Sequence, residues 1–349
     1  MRSIPAASST PANCFRRFAP SMTFQRICIV GPGAIGGMMA VKLIRAGFDV
    51  SALVRAPRVY DLKTSGITLH DEGETFTKTL DASSNAETLG PHDLVVITVK
   101  ENGMRSIAPQ VSALCRDDAP VVQITNGIPW WFFNHFGGAL EGTRLQAVDP
   151  DGAVSQHFDV SRHIGGVINC GVSWQADGSI RHDHSNHLAL GRPDNRQDGM
   201  EPIRAVFEKA GYNTEVAGNI HQNVINKLLA NISFNPVSAL AMSTLDKLMA
   251  DPLVRELLYG LMNESRALAT ALALDPGPDP SERFSSAGNM GPSKTSMLQD
   301  MEAGNPLELD AILGAAIEIG ELTNTPMPLS RAMLGLLRTL ASVDQRSDS

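Results

Sequence analysis

The sequence contains few cysteines, and none of them has the spacing of a metal site. Its four cysteines, Cys14, Cys28, Cys115 and Cys170, are scattered through 349 residues without a C-x-x-C pair. Zinc knuckles require closely spaced thiols, and small disulfide-rich scaffolds require many of them. The pattern indicates neither class. It predicts free thiols in a reducing compartment, and we expect a cytoplasmic location.

Positive charge and long apolar segments are also lacking. The formal net charge is −8, and no block of basic residues offsets it. Nucleic-acid binding depends on a basic surface, so we expect no nucleic-acid partner. No apolar run reaches the length that a transmembrane helix needs, so we expect no membrane partner. What remains is a globular chain long enough for two domains.

The N-terminal segment, residues 1–24, differs in composition from the rest of the chain. It is rich in Ser, Ala and Pro, contains Arg16 and Arg17, and has no acidic residue. A transit peptide shares this bias, but three prolines would interrupt its amphipathic helix. We interpret the segment as a disordered tail or a mis-assigned start, with Met22 as the alternative start.

Apolar patterns in the first two-thirds of the chain predict strands that alternate with helices. Such alternation is typical of a doubly wound parallel sheet. Residues 164–191 alternate with a period of two about Asp177-Gly178, which predicts antiparallel strands added to this sheet. A helix near 200–210 and a strand near 213–216 complete the predicted region. The other predicted strands cover 26–31, 48–55, 92–100 and 120–127, with a helix over 35–47.

A glycine-rich motif directly follows the first predicted strand and opens the first helix. "GPGAIGG" at 31–37 matches G-x-G-x-x-G through Gly31, Gly33 and Gly36. The first glycine permits a tight turn, the second lets a pyrophosphate approach the backbone, and the third allows close packing of helix on strand. The helix N-terminus then offers free N–H groups to the anion. The motif predicts a dinucleotide site that includes Ala34 and Ile35.

The end of the second strand indicates which dinucleotide binds. An NAD site carries an acidic residue there for the ribose hydroxyls. Here the strand ends "ALVR", without an acid, and Arg55 occupies the region, with Arg58 nearby. A guanidinium can pair with a 2′-phosphate through two hydrogen bonds, so we predict NADP(H). The alternative is that Arg55 is only an exposed surface charge.

The pattern changes from about residue 218, where helical periodicity replaces the strand signals. Residues 274–296 interrupt it and, being rich in Pro, Gly and Ser, predict a long loop. The fold class is therefore α/β, with a Rossmann-type doubly wound sheet domain over 25–217 and an all-helical domain over 218–343. Residues 344–349 are predicted to be a tail.

Polar residues at two strand ends and on one helix face are candidates for the site. Lys100 ends the third strand and Asn126 ends the fourth, at the sheet edge where such folds bind ligands. For Lys100 the simpler interpretation is an ordinary charge at a strand end, and for Asn126 it is a plain turn. Lys227, Asn231 and Asn235 follow at i, i+4 and i+8, so they share one face of a helix. That face is either a solvated edge or an active-site wall.

Taken together, these motifs resemble the ketopantoate reductase family (2-dehydropantoate 2-reductases) over roughly residues 25 to 343. The glycine motif is common to many dehydrogenases, whereas the Lys–Asn–Asn row and the SMLQD motif with its following Glu308 are far more specific. The resemblance rests on GPGAIGG at 31–37, VK at 99–100, NG at 126–127, K-x-x-x-N-x-x-x-N-P at 227–236, and SMLQD at 296–300 followed by Glu308.

The resemblance implies roles for the catalytic pair. Lys227 matches the general acid that protonates the nascent alkoxide, and Glu308 matches the acid that organises the lysine and the substrate. This agrees with the chemistry of the residues, because a positioned ammonium stabilises negative charge on a carbonyl oxygen and can supply a proton. Apolar neighbours are expected to lower the pKa of Lys227. Asn235-Pro236 also predicts that the helix bends or stops at the end of the row.

The same resemblance implies the substrate and cofactor contacts. Asn231 and Asn235 match residues that orient substrate, and Ser296 matches a ligand of its carboxylate. Lys100 and Asn126 match residues near the nicotinamide ribose and the substrate. The simpler interpretation of the serine is a helix capping box with the glutamine three residues on, and Asn305 to Glu308 resembles a second such box.

Two further features have competing interpretations. "HDHSNH" at 182–187 suggests a metal site through His182 and His184, but a solvent-facing hairpin is favoured, and we predict no metal. Trp130 and Trp131 follow the NG turn and are interpreted either as core residues or as part of the substrate pocket.

The leading hypothesis is NADPH-dependent reduction of 2-dehydropantoate to (R)-pantoate in pantothenate biosynthesis. One alternative is a paralogue that reduces a different 2-oxo acid or related carbonyl compound, since the chain is long for the family and "TNGIPWWFF" departs from its commoner Gln-Asn-Gly context. Another is a non-catalytic NADP(H) sensor, against which Lys227 and Glu308 argue. The expected partner is a small 2-oxo acid, and the helical region is able to support a homodimer.

Overall fold

The computed structural model describes residues 22–287 and 291–347, and within them ten strands form one sheet. The predicted tail at 1–24 therefore lies largely outside the described residues. The strands are β1 (Arg26–Val30), β2 (Asp49–Leu53), β3 (Ile67–Asp71), β4 (Glu74–Lys78), β5 (Asp81–Ser83), β6 (Leu94–Ile97), β7 (Val121–Ile124), β8 (His163–Trp174), β9 (Ile180–Gly191) and β10 (Asn213–Val216).

The sheet has a parallel centre with antiparallel additions. Its order is β4-β3-β9-β8-β7-β6-β1-β2-β5, and β10 pairs with β9. Neighbouring strands from β5 to β8 run parallel, whereas β8 pairs with β9 and β3 with β4 in antiparallel fashion. The β8–β9 connection turns at Gly178, which has a φ of 80° and donates its N–H to the carbonyl of Gln175. The predicted Rossmann-type sheet with an appended hairpin is confirmed.

Helices flank the sheet and make up the chain from Ile220 onwards. No helix among the described residues is long and apolar enough to cross a membrane. The α-helices are α1 (Ala34–Arg45), α2 (Ala56–Thr64), α3 (Ala86–Leu89), α4 (Glu101–Val111), α5 (Glu201–Lys209), α6 (Ile220–Ala241), α7 (Leu245–Ala250), α8 (Pro252–Ala271), α9 (Pro280–Ala287), α10 (Ser296–Glu302), α11 (Ala315–Leu322) and α12 (Pro328–Ser347). Short 3-10 turns cover Ser112–Leu114, Gly138–Leu140, Pro150–Gly152, Ser155–His157 and Val160–Arg162, and a π-helical turn covers Asp310–Gly314.

Two predictions about loops and tails need correction. The expected loop at 274–296 contains α9, because Asp279 accepts the N–H of Ser281 at 3.0 Å and Pro280 follows it as the first helical residue. This is a favourable helix start, and proline tolerates that position. The helix α12 extends to Ser347, into the segment 344–349 predicted as a tail, because neither glycine nor proline follows Gly335 to end it.

The helix α6, which carries the Lys–Asn–Asn row, does not stop at Asn235. It continues through Pro236 to Ala241, so of the predicted bend or stop, the stop was wrong and the bend stays a prediction. Proline has no N–H, and one helical hydrogen bond is lost at this point. Burial of the helix offsets the free-energy cost of this lost hydrogen bond, since the residues from Ile232 to Ala239 are all buried. At its start, Asn219 caps the helix by accepting N–H groups of the first turn.

Each face of the sheet packs against its own hydrophobic cluster. One cluster includes α1 and α5, and the other includes α4, α6, α8 and the segment after the NG turn. Trp130 and Trp131 belong to the second cluster and are 5% and 1% exposed, so they are core residues. Two glycines on β8 and β9 let this layer approach closely: a Cβ at Gly165 would collide with Trp131, and one at Gly191 would lie 2.7 Å from Ile220. The start of α6 is thereby held against the sheet.

Candidate active site

The glycine motif forms a turn that fits a pyrophosphate. Gly31 has a φ of +78°, and a Cβ there would collide with Val99. Gly33 precedes α1 without a side-chain cap, and a Cβ on it would meet only the Gly31 carbonyl, at 4.0 Å. The space over Gly33 is therefore open to a ligand. The first N–H groups of α1, at Ala34 and Ile35, have no partner within the helix and point to that space with the positive end of the dipole.

The third glycine of the motif brings α1 onto the sheet. A Cβ at Gly36 would collide with Thr98 and lie 2.9 Å from the Gly31 carbonyl. The Thr98 hydroxyl donates to the same carbonyl at 2.8 Å, which ties the turn to the strand end next to it. The residues present thus fit a dinucleotide, as the spacing predicts.

Arg55 lies two residues after the end of β2, in the region where the dinucleotide prediction expects it. It is exposed and precedes the first residue of α2. Arg58, one turn later, lies over the ring of Trp174 at 5.4 Å from the centroid, a contact that favours a cation. Arg55 as a ligand of a 2′-phosphate stays a prediction.

Lys227 projects from α6 towards β8. Its Nζ donates to the Ile168 carbonyl at 2.7 Å. Burial lowers the pKa of Lys227 below its usual 10.5, while the thiol of Cys170 and the carboxylate of Glu308 act in the opposite direction. An ammonium has three N–H donors, so this lysine retains two for a ligand. The predicted lowering of its pKa agrees with this environment.

A cavity of about 380 Å³ opens beside Lys227. Its lining adds one more residue to the polar row on α6, Asn223, which lies four residues before Lys227. Asn231 belongs to the lining, and its amide nitrogen is buried without a hydrogen-bond partner. An unpaired buried donor is costly, so we expect a ligand or a side-chain movement to satisfy it. The lining residues are Val167, Asn169, Ala189, Asn223, Asn226, Lys227, Ala230 and Asn231.

Asn235 and Ser296 meet at the far end of the row. The Asn235 amide nitrogen lies 3.5 Å from the Ser296 hydroxyl. The helix α10 is capped by Thr295, whose hydroxyl accepts the N–H of Leu298 at 3.2 Å. The predicted capping box at Ser296 was therefore wrong, because the neighbouring residue has the extended backbone that a cap requires. The Ser296 hydroxyl is left for other contacts.

Glu308 and Asn126 form a second contact between the sheet and the helical region. The Asn126 amide nitrogen donates to Glu308 Oε2 at 3.1 Å. Burial raises the pKa of Glu308, and the hydrogen bond from Asn126 opposes that rise. The capping box predicted from Asn305 was wrong, because helical structure begins only at Leu309, after Glu308.

Gly127 explains how these two residues meet. It has a φ of +75°, and a Cβ on it would collide with the carbonyl of Ala311. The next residue, Ile128, donates its N–H to that same carbonyl at 2.8 Å. The NG turn therefore packs directly against the π-helical turn, with Asn126 on one side and Glu308 on the other.

Lys100 pairs with a residue that sequence reasoning missed. Its Nζ lies 2.5 Å from Asp300 Oδ1 and 3.5 Å from the Pro306 carbonyl. Asp300 is the last residue of SMLQD, so the motif itself contained the signal. Glu101, buried directly after Lys100, was also missed, because nothing in a sequence marks which charged side chains fold inward.

The "HDHSNH" segment differs from its favoured interpretation. The His182 side chain is 7% exposed, and its Nδ1 lies 2.7 Å from Asp71 Oδ1. His182 is therefore not solvent-facing, because the β3–β4 hairpin supplies a buried carboxylate next to it. His184 is exposed. Within the described ranges, no three His, Cys, Asp or Glu side chains are grouped so as to hold a metal ion.

Comparison with known proteins agrees with the motifs and the fold. The family model of the ketopantoate reductase PanE/ApbA matches residues 27–195, and that of its C-terminal part matches residues 219–341. A 2-dehydropantoate 2-reductase of Mesorhizobium japonicum is 39% identical over 318 residues, which cover 90% of this chain and 98% of the relative.

Solved structures show the same architecture. A protein of known structure from Ralstonia solanacearum is 34% identical with a TM-score of 0.87, and the match covers 92% of this chain and 99% of that one. A 2-dehydropantoate 2-reductase from Geobacter metallireducens is 27% identical with a TM-score of 0.79, covering 90% and 99% respectively. The chain is an oxidoreductase and belongs to the ketopantoate reductase family.

Proposed function

We propose that this protein reduces 2-dehydropantoate to (R)-pantoate with NADPH, a step of pantothenate biosynthesis. The observation that carries the proposal is the placement of Lys227, half-buried at a cavity of about 380 Å³ with a lowered pKa and in the field of Glu308. The relative from Mesorhizobium japonicum, which carries the name of this activity, supports the substrate. The open turn at Gly33 and the exposed Arg55 support the cofactor.

Lys227 acts as the general acid. The bound cofactor supplies the hydride for the C2 carbonyl of the substrate, and negative charge then develops on the carbonyl oxygen. The ammonium of Lys227 stabilises this charge and transfers a proton to it. Its hydrogen bond to the Ile168 carbonyl fixes the direction of the side chain while two N–H groups remain for the substrate.

Glu308 supports the lysine, and polar side chains along the row orient the substrate. The negative charge of Glu308 raises the pKa of Lys227 against the effect of burial, which favours the ammonium form. Asn231 and Asn235 bind the polar groups of the substrate, and Ser296 binds its carboxylate. Lys100 contributes a second positive charge near the substrate and the nicotinamide ribose.

The unusual sequence around Trp130 and Trp131 does not favour a different substrate. Trp130 and Trp131 are buried in the core and are absent from the lining of the cavity. The departure in "TNGIPWWFF" therefore changes packing behind the site. The three described cysteines are free, which supports the cytoplasmic location. Exposed leucines of the helical region, such as Leu253 and Leu336, support a homodimer through that region.

The substrate is tested by following NADPH oxidation with purified protein and a panel of 2-oxo acids. We expect 2-dehydropantoate to have the highest kcat/KM and pantoate to be the product. Strong turnover of another 2-oxo acid, with none of 2-dehydropantoate, would overturn the substrate and leave the reductase class intact. Absence of turnover with every acid in the panel would favour the NADP(H) sensor.

The cofactor is tested with Arg55→Ala. Loss of a charge-assisted contact to the 2′-phosphate should lower kcat/KM for NADPH by about ten- to a hundredfold, with little change for NADH. Arg255→Ala, on α8, is the matched control and should change neither value. Equal losses for both cofactors would contradict the assignment of Arg55.

A further inference from the structure

A buried polar cluster next to the Asn126–Glu308 pair has no role in the proposed reduction. Glu101 is the first residue of α4, directly after Lys100, and is 7% exposed. Gln123 on β7 donates from Nε2 to Glu101 Oε2 at 3.3 Å. Asp149 is fully buried nearby, close enough for its charge to act on Glu101.

The hydrogen-bond groups of this cluster do not balance if both carboxyls are ionised. Glu101 Oε1, Gln123 Oε1 and Asp149 Oδ2 are all buried without a partner, and all three are acceptors. The second carboxylate oxygen of Asp149 is already used, because it accepts the N–H of Val154 at 2.7 Å. The cluster therefore lacks a donor. A proton on Glu101 converts an unpaired acceptor into an O–H donor and reduces the imbalance.

The surrounding charges place this proton on Glu101. Burial and then the carboxylates of Glu308 and Asp149 raise the pKa of Glu101 well above its ordinary value, and the hydrogen bond from Gln123 only partly opposes them. Burial also raises the pKa of Glu308, but the hydrogen bond from Asn126 opposes the rise. The positive charges of Lys100 and Lys227 oppose it as well, whereas the charge of Asp300 adds to it. Two neighbouring buried carboxyls rarely ionise together.

We propose that Glu101 is a positioning residue, which holds the proton of the buried carboxyl pair and so leaves Glu308 as the ionised partner of Lys227. The negative Glu308 then keeps Lys227 in the ammonium form that a general acid requires. The protonation state of Glu101 is independent of the substrate, whereas its effect on the reaction rests on the proposed function.

The protonation state is tested by infrared spectroscopy on the full chain at neutral pH, without substrate. A protonated carboxyl gives a carbonyl stretch that shifts in D₂O, and ionised carboxyls do not. We expect this band in the wild type and in Glu87→Gln, which changes an exposed carboxyl. It should be absent in Glu101→Gln. Persistence of the band in Glu101→Gln would overturn the proposal.

A second variant keeps the test decisive if Glu101→Gln does not fold. In Glu308→Gln the band should remain, because burial, the largest cause of the raised pKa of Glu101, is unchanged. Loss of the band in Glu308→Gln would overturn the proposal, because the buried environment of Glu101 would then not hold the proton. Both spectra are independent of turnover, so they stand even if 2-dehydropantoate is not the substrate.

The effect on the reaction is tested by the pH profile of kcat/KM for whichever 2-oxo acid the protein reduces. Glu101→Gln keeps an N–H donor without charge. The acidic limb of its pH profile, which reflects protonation of Glu308, should therefore match that of the wild type. Glu101→Leu lacks the donor, and kcat should fall about tenfold. An acidic limb that moves by about one pH unit or more to lower pH in Glu101→Gln would show that Glu101 was charged.

Discussion

At the scale of single residues, the proposed function makes the activity depend on the proton of Lys227. We expect Lys227→Ala to lower kcat by about 10²- to 10⁴-fold, since a positioned acid contributes that much. Binding of NADPH, followed by fluorescence titration, should stay within about twofold of the wild type, because Lys227 contacts β8 and the cavity and not the glycine turn. Lys247→Ala, an exposed lysine of α7, is the control. Turnover like that of the wild type in Lys227→Ala would refute the mechanism.

The pH dependence of the reaction follows from the same residue. A general acid must carry its proton, so kcat/KM should fall as the pH rises through the pKa of Lys227. Burial lowers that pKa below 10.5, and the basic limb should therefore lie below this value. Glu308→Gln removes a charge that favours the ammonium, and it should move the limb to still lower pH. A limb at or above the ordinary lysine value would contradict the assigned environment.

Candidate site residues could be identified from the sequence where they depend on side-chain type at a regular spacing, and their roles stay predictions. Lys227 and the asparagines of its row were found because a polar row at helical spacing is visible in a sequence. The buried state of Glu101 was missed because it depends on contacts with distant residues such as Gln123. The choice of Thr295 over Ser296 as the helix cap was missed because adjacent hydroxyl residues look equivalent before the backbone is known.

At the scale of elements, the NG turn and the π-helical turn are held in contact by a glycine. We expect Gly127→Ala to lower the free energy of unfolding by about 3 kcal/mol or more, since it adds a clash with Ala311 to the strain of a positive φ. Activity should fall with it, because Asn126 moves relative to Glu308. Denaturant unfolding and kcat/KM are the measurements.

Gly73→Ala is the matched control for this change. Gly73 also has a positive φ, +83°, but a Cβ there would meet nothing within 4 Å. It should cost only the backbone strain, about 1–2 kcal/mol, and leave kcat unchanged. Similar losses of stability in the two variants would show that the contact with Ala311 is unimportant.

A buried ion pair joins the β3–β4 hairpin to the helix α1. Lys42 Nζ lies 2.6 Å from Asp71 Oδ2, with both side chains less than a tenth exposed. Asp71→Asn leaves the lysine without its counter-ion and should cost about 3–5 kcal/mol of unfolding free energy at neutral pH. Asp81→Asn, which breaks the exposed pair with Lys63, should cost about 0–1 kcal/mol.

The cost of Asp71→Asn should depend on pH in a defined direction. Burial raises the pKa of Asp71, but the hydrogen bonds from Lys42 and His182 outweigh it, and the net pKa is below 3.8. A lowered carboxyl pKa stabilises the folded state fully above the unfolded value of about 3.9, and the contribution is lost as the pH falls through the folded value. The difference between variant and wild type should therefore be constant near neutrality and shrink in acid. A difference that grows in acid would contradict the assignment.

This hairpin also shows where prediction of elements from sequence stops. The strands β1, β2, β6 and β7 were found because each is a compact apolar run bounded by turn residues. The segment 67–78, "ITLHDEGETFTK", is mostly polar, and its pairing with β9 arises from residues more than a hundred positions away. Local patterns carry no information on such a partner, so the hairpin and the buried state of His182 were both missed.

At the scale of the whole molecule, the sheet region and the helical region share one core. Val30 and Ile97 from the sheet lie in the same buried cluster as Ile225 and Leu228 of α6. Cutting the chain at the predicted boundary after residue 217 would expose that cluster to water, at about 25 cal/mol for each Å² of apolar surface. We therefore expect the two predicted domains to unfold together, although the sequence divides them.

The expected result is a single cooperative transition, with coincident curves from tryptophan fluorescence and far-ultraviolet circular dichroism. Fluorescence reports on the shared core because Trp130 and Trp131 are buried in it. A fragment covering residues 25–217 should lack protected amide protons, since one face of its sheet has lost α6. Two resolved transitions, or a folded fragment, would show that the sheet domain is stable by itself and that the shared cluster forms only when the finished domains dock.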